Sequence, residues 1–177
     1  MPYIPIDDFY PSERVKLISK NLDSGVLLKS SEIIIDTVKL TTSYYDESDP
    51  IVYILFTSGS TGEPKGVQIT KSAIQDFVLW LKKDFNFCSS NVFMNQAPFS
   101  FDLSVYEVMG FLNFGGTVIL NSRSSINDID SFFTKLVVYN CDTWISTPSF
   151  ISRFLLSDDF CSQVMPSLQK FIFCGET

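Results

Sequence analysis

Ile51-Val52-Tyr53-Ile54-Leu55-Phe56 leads into Thr57-Ser58-Gly59-Ser60-Thr61-Gly62-Glu63-Pro64-Lys65-Gly66, and Val67-Gln68-Ile69 leaves it. An unbroken apolar run before a cluster of Gly, Ser and Thr predicts a buried strand, a loop and a second strand. Gly59, Gly62 and Gly66 carry no Cβ, so the backbone can turn there and approach a bound group closely. Thr57, Ser58, Ser60 and Thr61 place four hydroxyls within five positions, and Lys65 adds a positive charge. Successive backbone N–H groups, hydroxyls and an ammonium complement phosphate oxygens, which makes this loop a candidate polyphosphate cradle. It is not a Walker A loop, which needs Gly-Lys-Ser/Thr in a row, nor a Gly-x-Gly-x-x-Gly dinucleotide turn. The plainer alternative is a flexible Ser/Gly surface turn. Against it stand the buried strand leading in and the Pro64-Lys65 pair inside the loop.

Downstream, Ile74, Phe77, Val78, Leu81 and Phe85 form one stripe of a helix over residues 72–85, with Ser72 and Gln75 spaced for a capping box. Residues 91–95 are expected as a strand. Residues 102–113 are expected as a helix, apolar almost all round and therefore buried. Gly115-Gly116 turns the chain into a strand at 117–120, and a single helix then presents Ile126, Ile129, Phe133, Leu136 and Val137 on one face. Trp144-Ile145 reads as a strand, Pro148 opens a helix, and Phe171-Ile172-Phe173 is a final strand. Upstream, residues 3–7 are extended. Pro11 suits a first helical position, Val15, Ile18 and Leu22 recur at helical spacing, and Gly25 can end that helix. Val26-Leu27-Leu28 and Ile33-Ile34-Ile35 are expected as short strands, and residues 41–50 as an acidic connecting loop. Strands alternating with helices predict an α/β fold, a largely parallel sheet with helices on both faces.

The chain has 177 residues, 45% apolar with 17 Phe, enough for one domain with a real core rather than a disordered segment. A net charge of −7 argues against nucleic acid or an anionic membrane as partner. With no His, triads, proton shuttles and metal sites that need one are excluded. Cys88, Cys141, Cys161 and Cys174 are widely spaced, without the paired pattern of a zinc site. No secretory leader or membrane-length apolar run stands in the sequence, and the expectation is a reduced, cytoplasmic protein without membrane insertion.

Two more stretches carry candidate chemistry. Asn95-Gln96-Ala97-Pro98-Phe99-Ser100-Phe101-Asp102-Leu103-Ser104 joins a strand to a helix. On sequence alone Asp102 reads as an ordinary helix N-cap, and Phe101 as core. Trp144 to Phe150 and Phe171 to Glu176 are apolar strands ending in small and polar residues. That pattern suits the carboxyl edge of a parallel sheet, where ligands bind. Cys174 reads there as a small buried thiol.

Residues 53–67, Tyr-Ile-Leu-Phe-Thr-Ser-Gly-Ser-Thr-Gly-Glu-Pro-Lys-Gly-Val, resemble the AMP-binding signature of the adenylate-forming superfamily. That group comprises amino-acid adenylation domains, acyl-CoA synthetases and luciferases. Tyr3 to Asp7 with Tyr10 to Arg14 resembles a second adenylation-domain motif, one met well inside such enzymes, so the start of the domain is expected to be missing. Asn-Gln-Ala-Pro-Phe-Ser-Phe-Asp-Leu-Ser, Ser-Thr-Pro-Ser-Phe and Phe-Cys-Gly-Glu are similar to the D-alanine–carrier-protein ligase family, which supplies D-alanine for teichoic acid.

The resemblance implies that residues 1–177 are a partial AMP-binding domain, a fragment of the large N-terminal domain of these enzymes. It implies ATP and Mg2+ as cofactors, a small amino acid such as D-alanine as substrate, and a phosphopantetheinylated carrier protein as partner. By the same resemblance Thr57, Ser58, Gly59, Ser60, Thr61, Gly62 and Lys65 hold phosphates, and Gly175 and Glu176 hold the nucleotide. Asp102 pairs with the substrate's α-ammonium in a partly dry pocket, Phe101 forms a wall beside it, and Cys174 lines the substrate side. Peptide synthetases carry Gly-Gly-Glu where this chain has Cys174-Gly175-Glu176. The family's Mg2+-side Glu, ribose Asp and catalytic Lys find no counterpart, so no catalytic residue is assigned and the isolated chain is expected to be inactive. The alternatives are a peptide-synthetase domain for another amino acid, an acyl-CoA synthetase, which Asp102 disfavours, and a non-catalytic α/β fragment.

Overall fold

The chain divides into two units, Met1–Gln75 and Asp76–Thr177. The computed structural model describes residues 2–20, 48–58, 63–155, 160–161 and 164–176. The expected strands at 26–28 and 33–35, Leu22, Gly25, residues 41–47 of the acidic loop and residues 59–62 of the phosphate loop lie outside the described residues.

In the first unit, α1 (Ser12–Lys20) follows Pro11, whose carbonyl accepts from Val15 N at 3.2 Å, and buries Ile18. β1 (Ile51–Ser58) pairs antiparallel with β2 (Pro64–Thr70). Tyr53, Ile54 and Leu55 are buried, as the apolar run requires. Tyr3 adds a parallel bridge to Tyr53 through Tyr3 N to Val52 O at 3.2 Å and Ile54 N to Tyr3 O at 3.0 Å. The hairpin is longer than the sequence suggests. Ser58 faces Pro64, Thr57 faces Lys65 and Phe56 faces Gly66, so Pro64 to Gly66 belong to a strand and not to the loop. Pro64 is tolerated because it stands first in β2, where a missing N–H is least felt.

α2 (Lys71–Phe85) carries the expected stripe, with Leu81 fully buried. Its cap differs from the Ser72–Gln75 box. Helix formation starts before Ser72, and Thr70 Oγ1 accepts from Ala73 N at 3.4 Å. The Asp49 carboxylate takes Ser72 N at 2.8 Å and Ser72 Oγ at 2.5 Å. A full charge makes a stronger acceptor than a neutral hydroxyl, and these bonds hold the Asp49 carboxyl below its usual range.

The second unit is a four-stranded parallel sheet in the order β4-β3-β5-β6, from β3 (Val92–Met94), β4 (Thr117–Ile119), β5 (Thr143–Ser146) and β6 (Lys170–Phe173). Alternate residues of β3 turn to opposite faces. Phe93 meets α3 (Ser104–Phe114), while Met94 joins a core with Phe132, Phe133, Leu136, Trp144, Ile151 and Phe154 beneath α5 (Ile129–Val138) and α6 (Pro148–Ser152). Helices thus lie on both faces, as expected. A Cβ built on Gly110 of α3 would sit 2.6 Å from Phe93 Cζ, so only glycine lets this helix lie so close to the strand.

Two helix expectations need correction. α3 buries Glu107, Met109 and Gly110, but Phe111 and Leu112 are 48% and 64% exposed. A helix on one face of a sheet has an outer side, however apolar its sequence. The single helix expected after β4 is two, α4 (Arg123–Asn127) and α5, broken at Asp128. Asp128 is extended and its carboxylate accepts from Ser131 N at 3.3 Å, starting α5 afresh. The break rotates the register, so Phe132 enters the core and Val137 is left exposed.

Candidate functional site

Of the seven residues expected to hold phosphates, Thr57, Ser58 and Lys65 are described. Thr57 and Lys65 stand directly opposite in the β1–β2 ladder, so their side chains share one face of the hairpin, and both are exposed. A hydroxyl and an ammonium side by side at the mouth of the glycine loop suit an anion.

In the second unit the carboxyl ends of β3, β5 and β6 run into Asn95-Gln96, Thr147 and Cys174-Gly175-Glu176. Ser146 Oγ donates to Gln96 Oε1 at 2.9 Å, and Cys174 N donates to Ser146 O at 3.2 Å, which joins the three strand ends. Gly175 has φ 87°, a left-handed conformation that L side chains resist. The Glu176 carboxylate accepts from Ser149 N at 3.0 Å and Ser149 Oγ at 2.7 Å. It therefore caps the first turn of α6 and is held below its usual range by those bonds. Gly175 and Glu176 lie at the expected edge, with Glu176 engaged on the protein itself.

Asp102 does not cap α3. The cap position is Leu103, in helical conformation, and no side chain accepts from the first-turn N–H groups. Asp102 is exposed rather than partly dry, because the 98–103 turn lies at the open end of the sheet. Phe101 beside it is 58% exposed, outside the core.

One helical turn beyond Asp102 stands Tyr106, a residue absent from the sequence expectations. The Cys174 thiol is among the groups that raise its phenol, and the phenol in turn lowers the thiol. Burial, then the charges of Cys174 and Asp102, push Tyr106 up to about 12. Burial also raises Cys174, with Asp102 adding to it. At neutral pH the thiol and phenol are therefore uncharged, and the Asp102 carboxylate acts on both. Phe77 meets the Tyr106 ring edge-on at 5.1 Å and Trp80 at 5.9 Å, which fixes the phenol's direction. The four-residue spacing from Asp102, in the turn before α3, to Tyr106, in its first turn, is the signal that could have found Tyr106. Asp102, Tyr106 and Cys174 thus form one electrostatic neighbourhood, in which the carboxylate raises both the phenol and the thiol.

The sequence profile of the AMP-binding enzyme family matches residues 1–177. The chain belongs to that family. It is 38% identical over 194 residues to the D-alanine–D-alanyl carrier protein ligase of Bacillus licheniformis, covering 99% of this chain and 39% of that relative. The ligase of the same name from Bacillus cytotoxicus is 35% identical, over 98% of this chain and 38% of the relative. The chain thus spans about two fifths of the length of these curated relatives. A nonribosomal peptide synthetase, FmoA3, in its α-methyl-L-serine-AMP-bound form superposes with TM-score 0.80 at 20% identity, over 98% of this chain and 21% of that one. The Vibrio cholerae adenylation domain AlmE, in complex with glycyl-adenosine-5'-phosphate, gives 0.61 at 24% identity, over 75% and 26%. These likenesses establish the fold as that of adenylation domains.

Among the described residues no three His, Cys, Asp or Glu side chains gather as a metal site, so they give Mg2+ no cage of their own. No helix among them is long and apolar enough to cross a membrane.

Proposed function

We propose that this chain is the phosphate-binding and amino-acid-binding part of an AMP-binding enzyme that activates a small amino acid, D-alanine first. A carboxylate oxygen of the amino acid attacks the α-phosphorus of ATP. The new bond gives the aminoacyl-adenylate, and the broken bond to the β-phosphate releases pyrophosphate. The phosphopantetheine thiol of a carrier protein then attacks the acyl carbon, losing its proton and forming the thioester as AMP departs. Thr57, Ser58 and Lys65, with Gly59, Ser60, Thr61 and Gly62, hold phosphate oxygens, and Gly175-Glu176 borders the nucleotide. Catalysis is positioning and charge stabilisation more than proton transfer.

The observation that carries the reading is the constellation at the carboxyl edge. Asp102, free of any capping duty, faces an uncharged Tyr106–Cys174 pair. A carboxylate there attracts an ammonium, and uncharged phenol and thiol groups do not compete with it for that charge. The names of the relatives that this chain matches at 38% and 35% identity support D-alanine and a carrier protein.

The test is Asp102→Asn in a polypeptide that joins this chain to the remaining AMP-binding segments. An exposed ion pair is worth about 0.2–1 kcal/mol, whereas removing the partner of a desolvated charge costs about 2–5 kcal/mol. Substrate closing over Asp102 moves the pair toward the second case, so the amino-acid KM should rise about tenfold or more with the ATP KM unchanged. An equal rise in both would overturn the reading.

A further inference from the structure

Glu107, one residue beyond Tyr106 on α3, is fully buried. Its Oε2 accepts from Asn95 Nδ2 at 2.7 Å, and the nearby Gln96 backbone N–H also favours its charged form. Asn95 Nδ2 reaches on to Ala97 O at 3.1 Å, Asn95 O accepts from Asn121 Nδ2 at 2.8 Å, and Gln96 Oε1 holds Ser146 Oγ. One carboxyl therefore joins α3 to the turn after β3 and, through it, to Asn121, two residues past β4, and to the end of β5. Glu107 Oε1 has no hydrogen-bond partner. None of the proposed chemistry uses this group.

We propose that Glu107 is the positioning residue of the pocket: it clamps the start of α3 to Asn95 in the turn after β3, and so sets where Asp102 and Tyr106 stand relative to Ser146 and Cys174. Its surroundings keep it a neutral acid. Burial pushes the carboxyl up to about 8, while the Asn95 and Gln96 donors pull it back only in part. No charged side chain is among the causes of the shift. The groups that meet it are the amide of Asn95 and the N–H of Gln96. The charges of the surrounding network stand off: Lys135 of α5 ends on Asn121 Oδ1 at 3.1 Å, three hydrogen bonds from Glu107, and Asp102 of its own segment is exposed. An ionised Glu107 would leave a buried charge with one oxygen unsolvated, which the site is not built to hold. The proposal rests on the pocket reading only for what the positioned groups do.

The test needs no substrate, so its failure is separable from failure of the adenylation reading. Amide and carboxyl NMR of the 177-residue chain would be recorded for wild type, Glu107→Gln and Glu107→Leu. In Glu107→Gln an amide oxygen can still accept from Asn95, and the resonances of Gln96, Asp102, Tyr106 and Ser146 should stay near their wild-type positions. In Glu107→Leu all four should move. Where Glu107→Leu does not fold, Glu107→Asp, which draws the acid back by one methylene, should move the same four. In wild type the Glu107 carboxyl should titrate near pH 8 and carry those amides with it, a response absent from Glu107→Gln. The proposal is overturned by a Glu107 midpoint in the ordinary carboxylate range. It is equally overturned by Leu or Asp variants that leave the four resonances in place, or by Gln displacing them as far as Leu does.

Discussion

Replacing Gly110 by Ala sets two known effects against each other. In a helix interior Ala is more stable than Gly by about 0.5–1 kcal/mol. Here the new methyl would lie 2.6, 3.0 and 3.2 Å from Cζ, Cε2 and Cε1 of Phe93. The Phe93 ring cannot give way: it is fully buried and held edge-on by Phe87 at 4.9 Å. Overpacking of this kind costs about 1–3 kcal/mol, so the net effect is a loss of about 1–2 kcal/mol. The strain falls on α3, which carries Tyr106 and follows directly on the turn that holds Asp102, so the displacement should reach the pocket. The assay is urea unfolding of the chain for Gly110→Ala, Phe93→Leu and the double variant. The double variant should be more stable than the two single losses predict, by at least about 0.5 kcal/mol. A Gly110→Ala chain more stable than wild type, or a cycle with no coupling, would refute the close packing of α3 on β3.

Cys174→Ala in the completed polypeptide should lower the D- over L-alanine ratio of adenylation kcat/KM by about 1–3 kcal/mol in free-energy terms, because it removes the thiol from the substrate side. An unchanged ratio would leave Cys174 as a core thiol only. The 177-residue chain alone, spanning about two fifths of its relatives, should show no amino-acid-dependent pyrophosphate exchange, and a measurable rate would reverse that expectation. Asp49→Asn should lower thermal stability near neutral pH. Its Ser72 bonds hold the folded Asp49 carboxyl below its ordinary value, so its contribution is full above the unfolded carboxylate range and fades as pH falls through the folded pKa. The wild-type advantage should therefore narrow in acid, and a gap that is constant with pH would show that the charge is not what caps α2.

The parallel sheet was legible because its signals are local. The β5 sequence Thr143-Trp144-Ile145-Ser146 is buried at every position, as an apolar run between helices requires of a central strand. The stop after β3, the Pro148 helix start and the Phe171 strand are likewise written into neighbouring residues. Expectations failed where a distant residue decides. Asp49 replaces the local cap of α2 from 23 positions away. Asp128, an unremarkable acid within an apolar periodicity, splits one expected helix into two by capping the second. The outer side of α3 looked buried since periodicity counts apolar residues without knowing which side meets the sheet.

The same division explains the site. Asp102 and Cys174 could be singled out from motifs, but their meeting depends on β6 lying beside β5, a long-range pairing that no local pattern encodes. Tyr106 follows once α3 is placed, since the turn that presents Asp102 must present the residue four positions later on the same side. Glu107 points away from that side, into the space beneath the loop, and sequence offers an acid in an apolar helix as an exposed residue by default. Its burial makes sense only with the two donors of Asn95 and Gln96, which come from the turn that also positions Asp102. The stretch from Asn95 to Glu107 is therefore a single mechanical unit. Its exposed end offers the charge, its buried end fixes where that charge stands, and a substitution at either end should be felt at the other.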